Sequence, residues 1–468
     1  MRNHLRLPAL AIVFVLLVAA CGGTNASPAS STAASTPAPS TAASAPASAP
    51  ASSTATESAP AASEGASSSA GASAGQGVDD GTKITMWTRA ATEARARPIV
   101  DQYNKTHKNQ IELTVTPTDD YQAKVAAAAG SNSLPDLVSG DVVFMPNWTS
   151  AGLFQDITSK IAALPYADKI AQAHIKASTW DNKQYGLPFV VDLSVWFYNK
   201  ALYRKAGLDP EKPPTTLDEF ATQARAVAKL GGDVHGTFFG GNCGGCEVFT
   251  WWPIAWADGE KVMSDDGTQS MLNSDENKKI YSTFRSLVED GTVWMPDSKT
   301  ETGPTWTGYF LTGKVGIMPW PATLTGVAGD NLKLEDVGAT PIAGVKTGQS
   351  TFVGGDAIGI SRDSKVTDQA WNFLAWLEDQ DAQVNVIAKG GNVVSRTDLA
   401  NNQYSASDPR LVMFNTIAGQ GQTPFALKFG ATYNDPQGPW LVLLRDAVFG
   451  DASKIDSDND AINASLQP

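Results

Sequence analysis

The sequence predicts an α/β protein with material for two domains, on three observations. From Thr82 to Asp141, short apolar runs of strand character alternate with helix-period segments. That order starts again after Asp192. Finally, 468 residues at 42% apolar and 9% aromatic are ample for packed cores. Strands alternating with helices across short connections are the pattern of a mostly parallel sheet flanked by helices.

The N-terminus has a different character. Arg2 and Arg6 precede an apolar run from Leu7 to Ala20 that is too short to span a bilayer, and residues 1–20 read as a signal peptide. Small residues run up to Cys21, as in a bacterial lipobox, in which the Cys is acylated and becomes the first mature residue; the alternative is ordinary cleavage at a nearby Ala-x-Ala. Residues 21–80 are almost wholly Ala, Ser, Thr, Pro and Gly and cannot build a core, so they read as a disordered, lipid-anchored tether. Such a chain has an r.m.s. span of about 40 Å.

Beyond it, Lys83–Thr88 and Ile111–Thr116 read as strands, Glu93–His107 and Tyr121–Ala129 as helices, and Pro135–Asp141 as a buried strand. Thr216 with Glu219 three residues on marks a helix start. Between these lies Tyr185–Lys200, a strand entered through Pro188 in which Asp192 is the single charge before Lys200. A carboxylate among apolar residues needs polar partners, which either nearby backbone amides or a ligand can supply.

Tyr185-Gly-Leu-Pro-Phe189, the acidic Asp192, then Phe197-Tyr-Asn-Lys200 and Pro213-Pro-Thr-Thr-Leu-Asp-Glu-Phe220 resemble the hallmark of family 1 extracellular solute-binding proteins, the sugar-type receptors of ATP-binding-cassette importers. Phe310–Trp320 and Val353–Ser361 resemble that family's second and third crossings between lobes, and the likeness runs from about Thr82 to about Phe449. The resemblance implies a two-lobed periplasmic-binding-protein-like (type II) fold. Its lobes would be 82–190 with 315–361, and 191–314 with 362–468.

The resemblance also implies a site. Asp192 falls where the family's acidic residue faces sugar, while Glu247, Phe249 and Trp252 lie in a segment similar to one where an acidic and an aromatic side chain touch it. Trp320 and Trp440 match positions that stack sugar on a ring, and Gly355 and Asp356 stand on the third crossing. Asp141 follows a buried strand, at the end of a sheet where α/β proteins bind ligands, although an Asp after Gly is also an ordinary turn residue. Any single Trp among the 13 present can equally be core. Cys243 and Cys246 are the cysteines left after Cys21; in an exported chain they should pair as a structural disulfide, with thiol exchange or half a zinc site as the alternatives.

Composition narrows the rest. A net charge of -13 argues against a nucleic-acid surface, and four scattered histidines argue against a His-based metal site. Gly308–Lys314 spells most of a phosphate loop, but Val315 stands where Ser or Thr must hold magnesium, so it reads as a helix end entering a strand. Asp456–Asp460 hints at a calcium loop, yet Ala461 replaces the required Gly, and it reads as a solvated tail. The expectation is a monomeric, cofactor-free lipoprotein outside the bacterial cell membrane. It would bind a carbohydrate, in particular an oligosaccharide, and deliver it to permease subunits without chemistry. The alternatives are a receptor for a non-sugar solute and a hydrolase using Asp192 and Glu247.

Overall fold

The computed structural model describes residues 76–467. The signal segment, Cys21 and most of the expected tether lie outside them. Residues 76–80, assigned to the tether, are instead held against the folded part. Asp79 accepts the backbone N–H groups of Lys108 and Asn109, and the Asn109 side chain accepts those of Asp80, Gly81 and Thr82. The Asp79 carboxylate and the Asn109 amide are what fasten the segment.

The first layer follows the predicted order: β1 (Lys83–Arg89), α1 (Glu93–Thr106), β2 (Gln110–Thr116), α2 (Thr118–Ser131) and β3 (Leu137–Asp141). β1 lies between β2 and β3 and is parallel to both. The next long strand, β4 (Leu187–Asn199), is 13 residues long, and every residue in it is buried except Asp192, which is half-buried. Next come α3 (Leu217–Ala228), capped by the Thr216 hydroxyl accepting Glu219 N–H at 3.1 Å, α4 (Gly244–Ala257) and α5 (Asp275–Glu289). The later strands are β5 (Ile317–Pro321), β6 (Val337–Ala343) and β7 (Val353–Ile360). They are followed by α6 (Thr367–Leu377), α7 (Pro439–Phe449) and α8 (Ile455–Leu466).

β4 organises the molecule. Its first half, to Leu193, pairs antiparallel with β7, which in turn pairs antiparallel with β3. Its second half, from Ser194, pairs antiparallel with β5 on one side and, through Val195–Asn199, with β6 on the other. Leu187, Phe189 and Val190 join a core with Ile84, Met86 and Ile99. Val195 and Phe197 join a different core with Phe310, Val315 and Met318. Trp196 faces a third group built on Phe220, Trp251 and Phe284. One extended segment therefore passes from one packed body to another, and Asp192 marks the passage.

This packing revises two of the expected lobe assignments. Trp371, Phe373 and Leu374 of α6, assigned with 362–468, pack with Ile84 and Ile99 in the core of β1 and α1. Residues 317–343, assigned with 82–190, add β5 and β6 to the far half of β4. The reason is the direction of β7: it returns from the second body to the first, so the chain after it continues in the first. Asp456–Asp460 also differs from a solvated tail. It belongs to α8, whose Ile455, Ile462 and Leu466 are buried, and Asp456 pairs with Lys278 at 2.8 Å.

Candidate functional site

Arg89 and Asp141 end β1 and β3, while Asp356 lies opposite Asp141 on β7. Two like charges facing each other across neighbouring strands are unfavourable unless a cation intervenes. Arg89 supplies it. Its guanidinium donates to the Asp356 carboxylate from Nε at 2.8 Å and Nη2 at 2.6 Å, and lies 3.2 Å from Asp141. Thr92 Oγ1 donates to the other Asp356 oxygen at 3.0 Å. Burial opposes the charge on Arg89, but Asp356 and Asp141 outweigh it and hold the guanidinium above its ordinary pKa. Burial raises the Asp141 carboxyl, and Arg89 only partly reverses this.

Two positions along, Gly354 pairs with Asp192 across β7 and β4. Asp192 Oδ1 accepts the next residue's N–H at 3.1 Å, and Oδ2 lies 3.7 Å from the Arg95 guanidinium. Both side chains keep roughly a quarter of their surface open, 26% for Asp192 and 29% for Arg95. Gly355 has φ +93°, and a Cβ there would meet the Val190 carbonyl oxygen at 1.9 Å. Its glycine is therefore required by the neighbouring strand.

Apart from the enclosed Asp356, these groups line a cleft of about 1020 Å³. Further lining comes from Asn242, the start of α4 with Phe249, the Thr302, Gly303, Pro304, Trp306 and Thr307 stretch, and Asn434. Cys243 and Cys246, bonded to each other, sit at the rim where α4 begins, and the Cys243 sulfur accepts Cys246 N–H at 3.1 Å. Carboxylates, guanidiniums and amides on one cleft with two flat rings can meet hydroxyl edges and C–H faces of the same molecule.

Of the residues named from sequence, Asp141, Asp192, Phe249 and Gly355 line this cleft together. The others do not. Trp252 and Trp440 are 1% and 0% exposed, with ring centroids 5.9 Å apart, and Trp440 Nε1 donates to the Gly244 carbonyl at 2.9 Å. Their helices are covered by Tyr433, Phe429 and Tyr281, which leaves neither ring a free face. Trp320, 5% exposed, stacks on Phe197 at 5.9 Å and packs with Phe310, so it is core behind the cleft. Glu247 is 1% exposed; burial pushes its carboxyl up to about 8, with a 2.9 Å hydrogen bond from Thr250 only partly countering. Asp356 is fully enclosed and acts on the cleft through Arg89. Sequence reading missed Arg89, Arg95, Asn242 and Trp306. Arg89 closing a strand beside a buried Asp was the one signal available; Trp306, in a Gly/Pro/Thr loop, offered none.

The site lies where two sheet-bearing bodies share β4 and β7, which defines a two-lobed α/β solute-binding protein of type II architecture. Residues 98–412 match the family described as bacterial extracellular solute-binding protein, and the chain belongs to that family. Members are binding proteins that work outside the cytoplasm. The diacetylchitobiose binding protein DasA of Streptomyces coelicolor is 22% identical over 368 residues, covering 76% of this chain and 83% of that one. The arabinooligosaccharide-binding protein of Bacillus subtilis is 23% identical over 315 residues, 64% of this chain and 70% of that one. The fold is shared with the sugar-binding protein MalE of Xanthomonas citri, with a TM-score of 0.70 at 17% identity over 82% of this chain and 97% of that one. No helix among the described residues is long and apolar enough to cross a membrane.

Proposed function

We propose that the protein is a lipid-anchored receptor that captures an oligosaccharide in this cleft and delivers it to the permease of an ATP-binding-cassette importer. The observation that carries the reading is that two partly open carboxylates, Asp141 and Asp192, share one cleft with two partly exposed rings, Phe249 and Trp306. A volume of about 1020 Å³ exceeds what one monosaccharide fills and matches a ligand of several units. The names of the relatives, with their amino-sugar and pentose oligosaccharides, support the same class. Contacts to both lobes favour the closed form, so binding and hinge rotation are one equilibrium. Acylated Cys21 and the Ala/Ser/Pro tether would keep the receptor near its importer.

A second reading, capture of a cationic solute, is favoured by one observation: Asp141 and Asp192 on the lining, with Asp356 enclosed behind Arg89, give three carboxylates to two guanidiniums. A thermal-shift screen of neutral oligosaccharides, acidic sugars and spermidine separates the two. Under the proposal a neutral oligosaccharide raises the melting temperature by mass action. A shift with spermidine alone would replace the sugar reading.

A further inference from the structure

We propose that the Cys243–Cys246 disulfide is the seat of the Trp306 loop, so that breaking it weakens the grip of the cleft on a saccharide. The inference rests on the cleft being the binding site and assigns a positioning role to a bond on its lining.

The loop is fastened at both ends. At its start the Glu301 carboxylate accepts Gly303 N–H at 2.6 Å and Thr305 N–H at 3.3 Å, while its carbonyl accepts Asn242 N–H at 3.0 Å. At its end the Tyr309 ring stacks on Phe238 at 3.7 Å, and its hydroxyl donates to Asp297 at 3.0 Å. Between these points the Trp306 ring leans on Trp320, with centroids 6.4 Å apart, and the backbone at Gly303 rests on sulfur. Gly303, at φ +117°, lies so close that a Cβ would come to 3.0 Å from Cys243 Sγ and 3.3 Å from Cys246 Sγ. On another side Gly240 approaches the same pair, with a Cβ there 3.3 Å from both cysteine Cβ atoms. The bonded sulfurs are wedged between two glycines, and Trp306 stands three residues beyond Gly303 on the cleft wall.

A dithiol breaks the bond by delivering two electrons and two protons, leaving two cysteine thiols and its own disulfide. Two unbonded thiols need more room than a bonded pair, and the glycines leave none in reserve. Gly303 must then lift, and the ring three residues on loses its position.

The test uses the full chain, measuring hydrogen exchange over residues 298–309 and affinity for N,N′-diacetylchitobiose and maltotriose, before and after dithiothreitol. Reduction should speed exchange in 301–307 and weaken binding about tenfold, with reoxidation restoring both. Cys243→Ser/Cys246→Ser should be weak and insensitive to dithiothreitol, and Gly303→Ala should be weak with the disulfide intact. In Trp306→Ala, reduction should cost nothing further, which a general loss of stability would not reproduce. Unchanged exchange in the reduced protein, or an equal loss of affinity in Trp306→Ala, overturns the proposal. If the oxidised protein binds neither sugar, it is the saccharide reading that fails, and exchange alone decides the seating.

Discussion

The Asp356 carboxylate, fully enclosed, fixes the Arg89 guanidinium through hydrogen bonds of 2.8 and 2.6 Å, joining residues 267 positions apart at the floor of the cleft. The pair sets Arg89 against Asp141 and keeps two facing acids compatible on adjacent strands.

Asp356→Ala should therefore damage both folding and binding. Removing one partner leaves a largely buried cation short of its counter-charge, costing about 3 kcal/mol. Chemical denaturation measures this; an unchanged midpoint would show that Asp141 alone satisfies Arg89.

Asp192→Ala behaves differently, because its carboxylate is partly open and its ion pair with Arg95 is long at 3.7 Å. Stability should stay within about 0.5 kcal/mol of wild type. Saccharide affinity should fall by about 2 kcal/mol or more, since an unmatched polar contact in a closed cleft is rejected. Calorimetry checks both statements, and undiminished affinity would remove Asp192 from the site.

The aromatic residues divide by exposure. Trp306→Ala should weaken saccharide binding by about 1 to 3 kcal/mol with little effect on unfolding. Trp440→Ala and Trp252→Ala should do the reverse, destabilising the fold by about 3 to 5 kcal/mol. Equal behaviour of all three variants would contradict this division.

Glu247 governs a pH dependence. Its folded carboxyl titrates near 8 against an ordinary value of 4.5, so between these values the unfolded chain releases a proton that the folded one keeps. Stability is fully present below about 4.5 and falls as pH rises to 8. Glu247→Gln should match wild type at pH 4 and exceed it by about 1 to 3 kcal/mol at pH 8. His174 works on the acid limb: buried and lowered to about 4, it favours unfolding as pH falls from 6.5. Denaturation midpoints across pH 4 to 9 test both signs.

The strand and helix order was legible because period-two and helical patterns are local, and α1, β2 and β3 fall within a few residues of expectation. Asp192 was legible because a single charge among apolar neighbours has to be explained. The tryptophans were not. A ring at position 440 or 306 carries the same local signal, and only the packing of Tyr433 and Tyr281 around one, and the open loop beneath the other, distinguishes them. Arg89 escaped for a related reason, since its meaning lies in a partner on a strand that returns late in the chain. The boundaries between lobes failed likewise at α6, where neighbouring sequence says nothing about which core receives Trp371.

Leu187–Asn199 is one extended segment whose register with β7 slips once, at Phe189, and from Val191 onward its side-chain direction alternates. Inserting one residue between Val191 and Asp192 would swing the acid away from the opening and send an apolar neighbour outward in its place. Evolution of new specificity in this scaffold is thereby channelled into the flanking loops, which can lengthen or shorten freely while the shared strand keeps its count.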